Sequence, residues 1–284
     1  MDRCRITYPV RLMCRCLHVC PSGYYAWRKR SPSRRAVANE ALLKRIRKLH
    51  ADSEGAFGAP RMWEELEFEE IRCSVNRVAR LMRLDGLQGI PTRRRRGRKR
   101  SKGRPPGIDD HLQRDFVAHQ ANRKWVTDIT EIKTDEGKLY LGAVKDLYSS
   151  EVVGWSMSRR QTRSLALQAV LMALWQREEN TPVILHSDQG SQFTSGEYQR
   201  FLIGHKLTCS MSAVGSCADN ASAESFFALL KRDRINQRSY RTRAEARADV
   251  FDYIERFHNP RMRRRLALLA RKESRLTQPS TESG

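Results

Sequence analysis

A run of positive charge divides this sequence into two parts. Residues 91–104, PTRRRRGRKRSKGR, carry nine Lys or Arg side chains and no acidic one, and Pro105, Pro106 and Gly107 follow. Like charges at this density repel one another and keep a chain extended, and the prolines prevent a helix from forming. The segment therefore predicts a linker, with a separately folded part on each side that has to bury its own core.

Composition supports two folded parts and a polyanionic partner. The chain has 284 residues, which is the length of about two domains. Its formal net charge is +22, so nucleic acid is the first partner to consider, and its hydrophobic content of 39% favours a folded protein over a basic tail. No run of 18 uncharged apolar residues occurs, and Arg interrupts each apolar run near the N-terminus. We therefore expect a cytoplasmic protein without a membrane span or signal peptide.

The seven cysteines favour reduced thiols. Their number is odd, and four of them lie within residues 4–20 while the others are far apart. This distribution indicates a reducing cytosol rather than a disulfide framework. The alternative is a zinc site, although the spacing is not the paired one that structural zinc sites use. Its ligands would be Cys14, Cys16, His18 and Cys20.

Residues 1–90 predict a helical region with a helix-turn-helix. Apolar residues recur at helical spacing over residues 36–50, with Leu42, Leu43, Ile46 and Leu49 on one face. A second helix is predicted in APRMWEELEFEE, and Ser74 is a suitable N-cap for a third, VNRVARLMRLDG, which Gly86 ends. Two short helices across a tight turn are typical of a helix-turn-helix.

The outer face of the third predicted helix supplies candidate DNA contacts. Val75, Val78, Ala79 and Met82 form its apolar stripe, and the polar and basic residues between them point away. The alternative is a small bundle whose basic face is merely solvated. Together with the start of the basic linker, whose cations would add affinity for phosphates rather than sequence preference, the candidate contacts are Asn76, Arg77, Arg80, Arg83, Arg93, Arg94, Arg95 and Arg96.

From residue 124 onward the pattern changes to strands. KWVTDITEI, KLYLGAVKDLYS and EVVGWSMS are rich in β-branched and aromatic residues and are separated by turn residues. A helix over 162–178, a buried strand PVILHSD, a helix over 194–204, a strand LTCSMS and helices near 220–233 and 243–257 follow. This order predicts a mixed α/β sheet, and it is the order of a ribonuclease H-like domain.

Three acidic residues are placed where this architecture would bring them together. Asp128 lies within the first strand, Asp188 ends the buried strand, and Glu224 lies in the first turns of a helix. A carboxylate in an apolar strand is costly unless a partner compensates it. An Arg could do so, but clustered carboxylates favour Mg²⁺ or Mn²⁺, and two such ions can bracket a phosphodiester.

The helix that carries Glu224 presents further polar residues. At 3.6 residues per turn Asn220, Glu224, Ala228 and Lys231 share one face, and the opposite face is apolar. Lys231 and Asn220 are therefore candidate DNA contacts beside the scissile bond. The alternatives are that Lys231 is an ordinary surface lysine and that Asp219 or Asn220 is only the helix N-cap.

These blocks resemble a known superfamily. WVTDIT, HSDQGSQF and DNASAESFFALLK are similar to the three signature blocks of DDE transposases and retroviral integrases, and 35 residues separate Asp188 from Glu224, as is characteristic of them. RLMCRCLHVCPSGYYAW, FGAPRMWEEL, VARLMRLDGLQG and KLYLGAVKDLYSSEVVGW resemble the OrfB proteins of the "insertion sequence 3" family of bacterial transposases. The resemblance extends over about residues 7–258.

The resemblance implies a fold and a site. The fold would be an α/β ribonuclease H-like integrase catalytic core with an N-terminal all-α helix-turn-helix region. Asp128, Asp188 and Glu224 would be its catalytic, metal-binding triad, holding two Mg²⁺ or Mn²⁺ ions. Asp146 would be structural or would support these ligands from outside the metal site, and His186 would be structural. The implied segments are a helical DNA-binding region (1–90), the linker (91–118), the core (119–260) and a basic tail (261–284).

The implied reaction is transposition, with DNA cleavage at element ends and strand transfer into a target. Its partners would be double-stranded DNA, further copies of the same chain in a homo-oligomer, and an upstream OrfA segment, fused or separate. Two other functions fit the sequence less well: a catalytically inactive DNA-binding regulator on the same fold, and an RNA-directed nuclease. A retroviral-type zinc module has no counterpart in residues 1–50.

Overall fold

A computed structural model describes residues 1–91, 115–177, 182–188, 190, 192–211 and 221–277. The contacts divide the chain into two compact units, Met1–Gly89 and Ile90–Gly284. Of the predicted DNA contacts, Arg93, Arg94, Arg95, Arg96 and Asn220 lie outside the described residues.

The first unit is helical, as the sequence predicts. After a short 3-10 turn at Asp2–Cys4, its helices are α1 (Val10–Cys16), α2 (Pro21–Lys29), α3 (Arg34–Asp52), α4 (Ala59–Phe68) and α5 (Val75–Leu84). The predicted N-cap of α5 is present, because the Ser74 hydroxyl accepts a hydrogen bond from the Arg77 amide at 3.2 Å.

The core of the first unit lies between α3, α4 and α5. The turn between α4 and α5 takes six residues, 69–74, and is longer than the tight turn that the sequence predicts. Glu70 turns the chain there with a positive φ of 60°. The buried apolar side chains are Leu42, Ile46 and Leu49 of α3, Met62 and Leu66 of α4, and Val78, Leu81 and Met82 of α5.

Arg77 is the predicted DNA contact whose orientation differs from the expectation. Asn76, Arg80 and Arg83 are exposed on α5 as predicted, whereas Arg77 is half-buried. Its Nε donates a hydrogen bond to the Asn39 side-chain oxygen on α3 at 2.9 Å. The guanidinium therefore joins two helices and does not point away from the unit, because α3 packs over that side of α5.

The zinc alternative for the N-terminal cysteines is wrong. Cys14 is buried inside α1, whereas Cys16, His18 and Cys20 are exposed. No three His, Cys, Asp or Glu side chains within the described ranges come close enough together to hold a metal ion. Cys14 instead is a small buried residue of α1.

The second unit contains the predicted mixed sheet. Its strands β1 (Lys124–Thr134), β2 (Gly137–Asp146), β3 (Val152–Ser158), β4 (Val183–Ser187) and β5 (Leu207–Met211) lie in the order β3-β2-β1-β4-β5. Short turns make β1, β2 and β3 antiparallel neighbours, and the longer connections make β4 and β5 parallel to β1. These connections contain α6 (Arg163–Trp175) and α7 (Gly196–Gly204).

Helices cover both faces of this sheet. One core packs α6 and α7 against side chains such as Trp125, Val144 and Leu185, and the other packs the C-terminal helices against Ile132 and Leu141. The C-terminal elements are α8 (Ala221–Asp233), α9 (Arg243–Phe251), a π-helical stretch (Asp252–His258) and α10 (Asn259–Thr277). None of the helices formed by the described residues has the length and apolar character that crossing a bilayer requires.

The segment that follows the predicted core is helical. The sequence analysis predicts only a basic tail over 261–284, whereas α10 continues to Thr277. At its start the buried Asn259 side chain accepts a hydrogen bond from the Val152 amide at 2.9 Å and donates one to the Val152 carbonyl at 3.0 Å. The amide thus pairs with the first residue of β3 in the way that a neighbouring strand would.

Gly154 on β3 allows α6 to approach the sheet closely, which generates a stability prediction. A Cβ at this position would lie 2.2 Å from the Ala169 carbonyl oxygen and 2.6 Å from the Ala173 nitrogen, both backbone atoms. We expect Gly154→Ala to lower the free energy of unfolding by about 1–3 kcal/mol, measured by urea denaturation. Gly196→Ala is the matched control, since its Cβ would meet nothing within 4 Å. Equal stability of the two variants would contradict this account of the packing.

Candidate active site

The pairing of β1 with β4 aligns two of the predicted acids. The strands run parallel, with Trp125 beside Leu185 and Val126 beside His186. Two residues beyond this last pair lie Asp128 on β1 and Asp188 directly after the end of β4. Because side chains alternate along a strand, both carboxylates lie on the face of the sheet that Val126 and His186 occupy.

Backbone amides orient both carboxylates. The Ile129 amide donates to Asp128 Oδ1 at 2.7 Å, and the Gly190 amide donates to Asp188 Oδ1 at 3.1 Å. Asp128 is half-buried beside Ala143 of β2, whereas Asp188 is exposed at the strand end. The two acids therefore lie side by side on adjacent inner strands, near the carboxyl end of β4, where Asp188 is accessible to solvent.

The third acid, Glu224, is carried by α8. This helix packs Phe226, Phe227 and Leu230 into the core on one side of the sheet. Glu224 and Lys231 are half-buried on α8, seven residues apart, and both act electrostatically on Asp128. The structure thus brings Asp128, Asp188, Glu224 and Lys231 into one electrostatic neighbourhood.

Burial and negative neighbours raise the pKa of Asp128 to about 7. Burial is the largest cause, and the charges of Asp188 and Glu224 raise this pKa further, while the Ile129 amide and the charge of Lys231 lower it. Partial desolvation also raises the pKa of Asp188, although this residue keeps contact with solvent at the strand end, and the hydrogen bond from the Gly190 amide opposes the shift. At Asp128, burial and the neighbouring acids therefore outweigh the Ile129 amide and Lys231, which favour the charged form.

These residues suit a hard divalent cation by their chemistry. The three acids supply only carboxylate oxygens, which Mg²⁺ and Mn²⁺ prefer, and a bound cation would oppose both causes that raise the pKa of Asp128, its burial and its negative neighbours. In the part of the chain that the structure describes, no three His, Cys, Asp or Glu side chains are close enough to form a finished metal cage. The chemistry of the donor set fits these ions.

Lys145 is a buried residue beside this site that the sequence analysis missed. It lies on β2 opposite Val126, on the same face as Asp128, and its Nζ donates to the Ser222 hydroxyl at 3.0 Å and to the Ser222 carbonyl at 3.3 Å. Burial, with a smaller contribution from the charge of Arg265, lowers its pKa to about 8, against the opposing charge of Asp146. Lys145 thereby ties the first turn of α8, two residues before Glu224, to the sheet.

Asp146 and His186 have structural positions, as expected. The buried Asp146 carboxylate accepts hydrogen bonds from the Asn122 amide at 2.9 Å and the Ser149 amide at 2.7 Å, so it closes the turn after β2. His186 is buried, and its Nδ1 lies 2.9 Å from the Ser210 hydroxyl on β5. Both side chains hold neighbouring segments together.

Comparison with known proteins assigns the class of each part of the chain. Sequence models described as an integrase core domain match residues 118–217 and 224–275, and one described as an HTH-like domain matches residues 38–96. The second unit contains the mixed sheet and the three acids, and it is therefore an integrase core of ribonuclease H-like fold. The helical region before it is HTH-like. The predicted fold class is confirmed.

Two curated relatives then identify the family. The chain is 39% identical over 261 residues to transposase InsF for insertion sequence IS3A of Escherichia coli, which covers 91% of both chains. It is 37% identical over 230 residues to the transposase for insertion sequence element IS904 of Lactococcus lactis, covering 81% of this chain and 91% of that one. The protein belongs to the IS3 family of transposases, as its signature blocks predict.

A solved structure with a similar core is more distant. The catalytic domain of Mos1 transposase, determined with raltegravir and manganese, is 13% identical and has a TM-score of 0.42, covering 55% of this chain and 84% of that one.

The raised pKa of Asp128 predicts that the free energy of unfolding depends on pH. Between about pH 4 and 7 the folded protein retains a proton that the unfolded chain has lost, so the free energy of unfolding falls as pH rises through this window. Asp128→Asn removes this penalty. In EDTA it should gain roughly 2–4 kcal/mol of stability relative to wild type between pH 4 and pH 8, measured by urea denaturation.

The matched control is Glu131→Gln, which removes an acid from the opposite face of the same strand. Its stability relative to wild type should change by less than about 1 kcal/mol over this pH range, since it loses only a solvent-exposed ion pair with Lys138. An equal gain in both variants would show that overall charge, rather than the environment of Asp128, is responsible.

The Lys145 contacts predict a local effect on α8. Lys145→Met removes two hydrogen bonds to Ser222, each of which contributes about 0.5–1.5 kcal/mol. We expect amide hydrogen exchange at residues 225–228, whose N–H groups bond to carbonyls of the first turn of α8, to become about tenfold faster or more, with β2 itself unchanged. Lys138→Met on the same strand, where the lysine pairs with Glu131 at 2.9 Å, is the control. Uniformly faster exchange would instead indicate a global loss of stability.

Proposed function

We propose that Asp128, Asp188 and Glu224 are the catalytic carboxylates with which this IS3-family transposase cuts and joins DNA, and that Mg²⁺ or Mn²⁺, in two ions, is its cofactor. The observation that carries this proposal is the parallel register of β1 with β4, which sets Asp128 and Asp188 side by side, with Glu224 of α8 near enough to act electrostatically on Asp128. Carboxylates gathered on one face of a sheet, where burial opposes the ionisation of Asp128, are the expected resting state of a divalent-cation site.

Each of these acids would have its own structural task. Asp128 and Asp188 would present oxygens from two adjacent strands, in orientations that the Ile129 and Gly190 amides hold. Glu224 would add a ligand from α8, whose first turn Lys145 holds against β2. When bound, divalent cations would activate the attacking oxygen and stabilise the charge that develops on the phosphate and on the leaving oxygen.

The reaction would proceed by two displacements at phosphorus. In the first, water attacks the phosphodiester at an element end, and the bond to the 3′ oxygen breaks to leave a 3′-hydroxyl. In the second, this hydroxyl attacks a phosphodiester of the target DNA, and the bond between that phosphorus and the target strand's own 3′ oxygen breaks. One phosphodiester bond is thereby exchanged for another. No covalent protein intermediate forms, and no Ser, Cys or Tyr nucleophile is needed.

Basic residues would hold the DNA. Lys231 follows Glu224 by two helical turns and would neutralise a phosphate near the scissile bond. Asn76, Arg80 and Arg83 on the exposed side of α5 would contact duplex DNA in the HTH-like region. Arg93, Arg94, Arg95, Arg96 and Asn220, which lie outside the described residues, complete the proposed set of DNA contacts.

The wider assembly is part of the same proposal. The chain would act on double-stranded element ends and targets as a homo-oligomer, with an upstream OrfA segment fused to it or bound to it. Its working segments would be residues 1–90, 91–118, 119–260 and 261–284. This function requires access to the chromosome, and therefore places the protein in the bacterial cytoplasm.

A strand-transfer assay on the element's own ends with Mg²⁺ tests the proposed triad. Asp188→Asn and Glu224→Gln should each lower product formation at least 100-fold, because each removes a negatively charged metal ligand while keeping the side-chain shape. DNA binding in Ca²⁺ should stay within about twofold of wild type. Glu131→Gln, which removes an acid from the other face of β1, should retain activity.

Product formation equal to wild type in Glu224→Gln would remove Glu224 from the site. Loss of binding and activity together would indicate a defect in folding or DNA binding instead. A wild-type protein that binds element ends but yields no product with Mg²⁺ or Mn²⁺ would favour the inactive regulator.

A further inference from the structure

We propose that residues 10–29 form a second DNA-reading helix-turn-helix, with α2 as its recognition helix. The match to the HTH-like domain begins only at residue 38, so α1 and α2 lie outside it. The inference rests on the proposed function, since a recombinase that cuts at defined ends needs a means of recognising their sequence. The proposed helix-turn-helix would be a further DNA-binding element, in addition to the exposed side of α5.

The turn between α1 and α2 is short and sharply defined. Four residues, 17–20, connect the helices, and His18 takes a left-handed conformation with a φ of 52°. The Val19 amide donates to the Cys14 carbonyl at 3.0 Å, and the His18 amide donates to the Arg15 carbonyl at 3.3 Å. This pair of bonds is the Schellman arrangement, which ends one helix and redirects the chain into the next. A turn of this length is the one that helix-turn-helix motifs use.

The inner faces of α1 and α2 are suited to close packing. Cys14 on α1 is 1% exposed, so this side of α1 faces the interior. Tyr24 on α2 is buried, its ring stacks on Trp27 with centroids 6.2 Å apart, and its hydroxyl donates to the Asp2 carboxylate at 2.7 Å. These contacts fix which side of α2 faces inward, and therefore which side faces solvent.

The outer face of α2 offers groups that read DNA. Ser22, Tyr25, Ala26 and Lys29 recur at helical spacing, and all four are exposed. Together they present a hydroxyl, a phenol, a methyl group and an ammonium, which can contact base edges, thymine methyl groups and phosphates. Ser22 lies in the first turn of the helix, the part of a recognition helix that enters the major groove.

The positive charge of the N-terminal segment favours DNA as the ligand of this face of α2. Residues 1–35 contain nine Lys or Arg side chains and one acid, Asp2, and the next acid along the chain is Glu40. Asp2 accepts the Tyr24 hydrogen bond and lies 3.7 Å from Arg28, so its charge is already compensated. A surface of this sign attracts the phosphate backbone and repels the same surface on a second copy.

A footprinting experiment on the full-length chain tests this proposal. Every protein carries Asp128→Asn and is assayed in EDTA, so that no cleavage occurs and the catalytic site plays no part in the result. Tyr25→Ala with Lys29→Ala should lower affinity for the terminal repeat about tenfold or more and shorten the protected region by several base pairs. Affinity for unrelated DNA should change by less than about threefold.

Lys48→Ala is the matched control, because it removes the same charge from an exposed position on α3. Its footprint should be that of the parent protein. Thermal unfolding of the double variant should match the parent, since neither exposed side chain is part of the core.

Photo-crosslinking distinguishes DNA from a protein partner. Benzoylphenylalanine in place of Tyr25 should crosslink to the terminal repeat. An unchanged footprint in the double variant would overturn the proposal. Crosslinks to protein alone would also overturn it, and they would identify the face as a protein-docking surface. Failure of the proposed triad is a separate outcome, since it would appear as strand transfer by Glu224→Gln whatever the footprint shows.

Discussion

The parallel pairing of β1 with β4 is the constraint on which the site depends. It places Asp128 and Asp188 in register on one face of the sheet, where burial opposes the ionisation of both and the charge of Asp188 further opposes that of Asp128. The α6 crossover makes this pairing parallel, and its close approach to Gly154 determines how tightly the layers pack. Holding these negative charges close together therefore lowers the stability of the folded state.

Most of the fold could be predicted from the sequence because its signals are local. Alternating and continuous apolar runs predicted the five strands, and Ser74 predicted the start of α5. The differences arise where distant segments decide the outcome. Arg77 follows the polar stripe of α5, yet it is turned toward Asn39 because α3 packs beside it. α10 lies in a segment so basic that its composition favours a solvated tail over a helix.

The candidate site was predictable to a similar extent. Asp128 and Asp188 could be identified because acids are unusual in apolar strands, and the family resemblance added Glu224. Lys145 could not be assigned a role in advance, although a lone lysine in the apolar run LYLGAVKDLY is itself a signal. Its partner is the backbone and hydroxyl of Ser222, 77 residues away, and only the folded arrangement of α8 over β2 brings them together.

The hydrogen bonds between Asn259 and the first residue of β3 have a consequence for damaged copies of such a gene. β3 is an outer strand of the sheet, and exposed outer strands recruit other chains. A premature stop codon before position 259 would remove this cover together with part of the packing around Tyr253 and His258. The shortened product would keep all three acids, yet we expect it to accumulate as insoluble aggregates and not as a dominant-negative inhibitor.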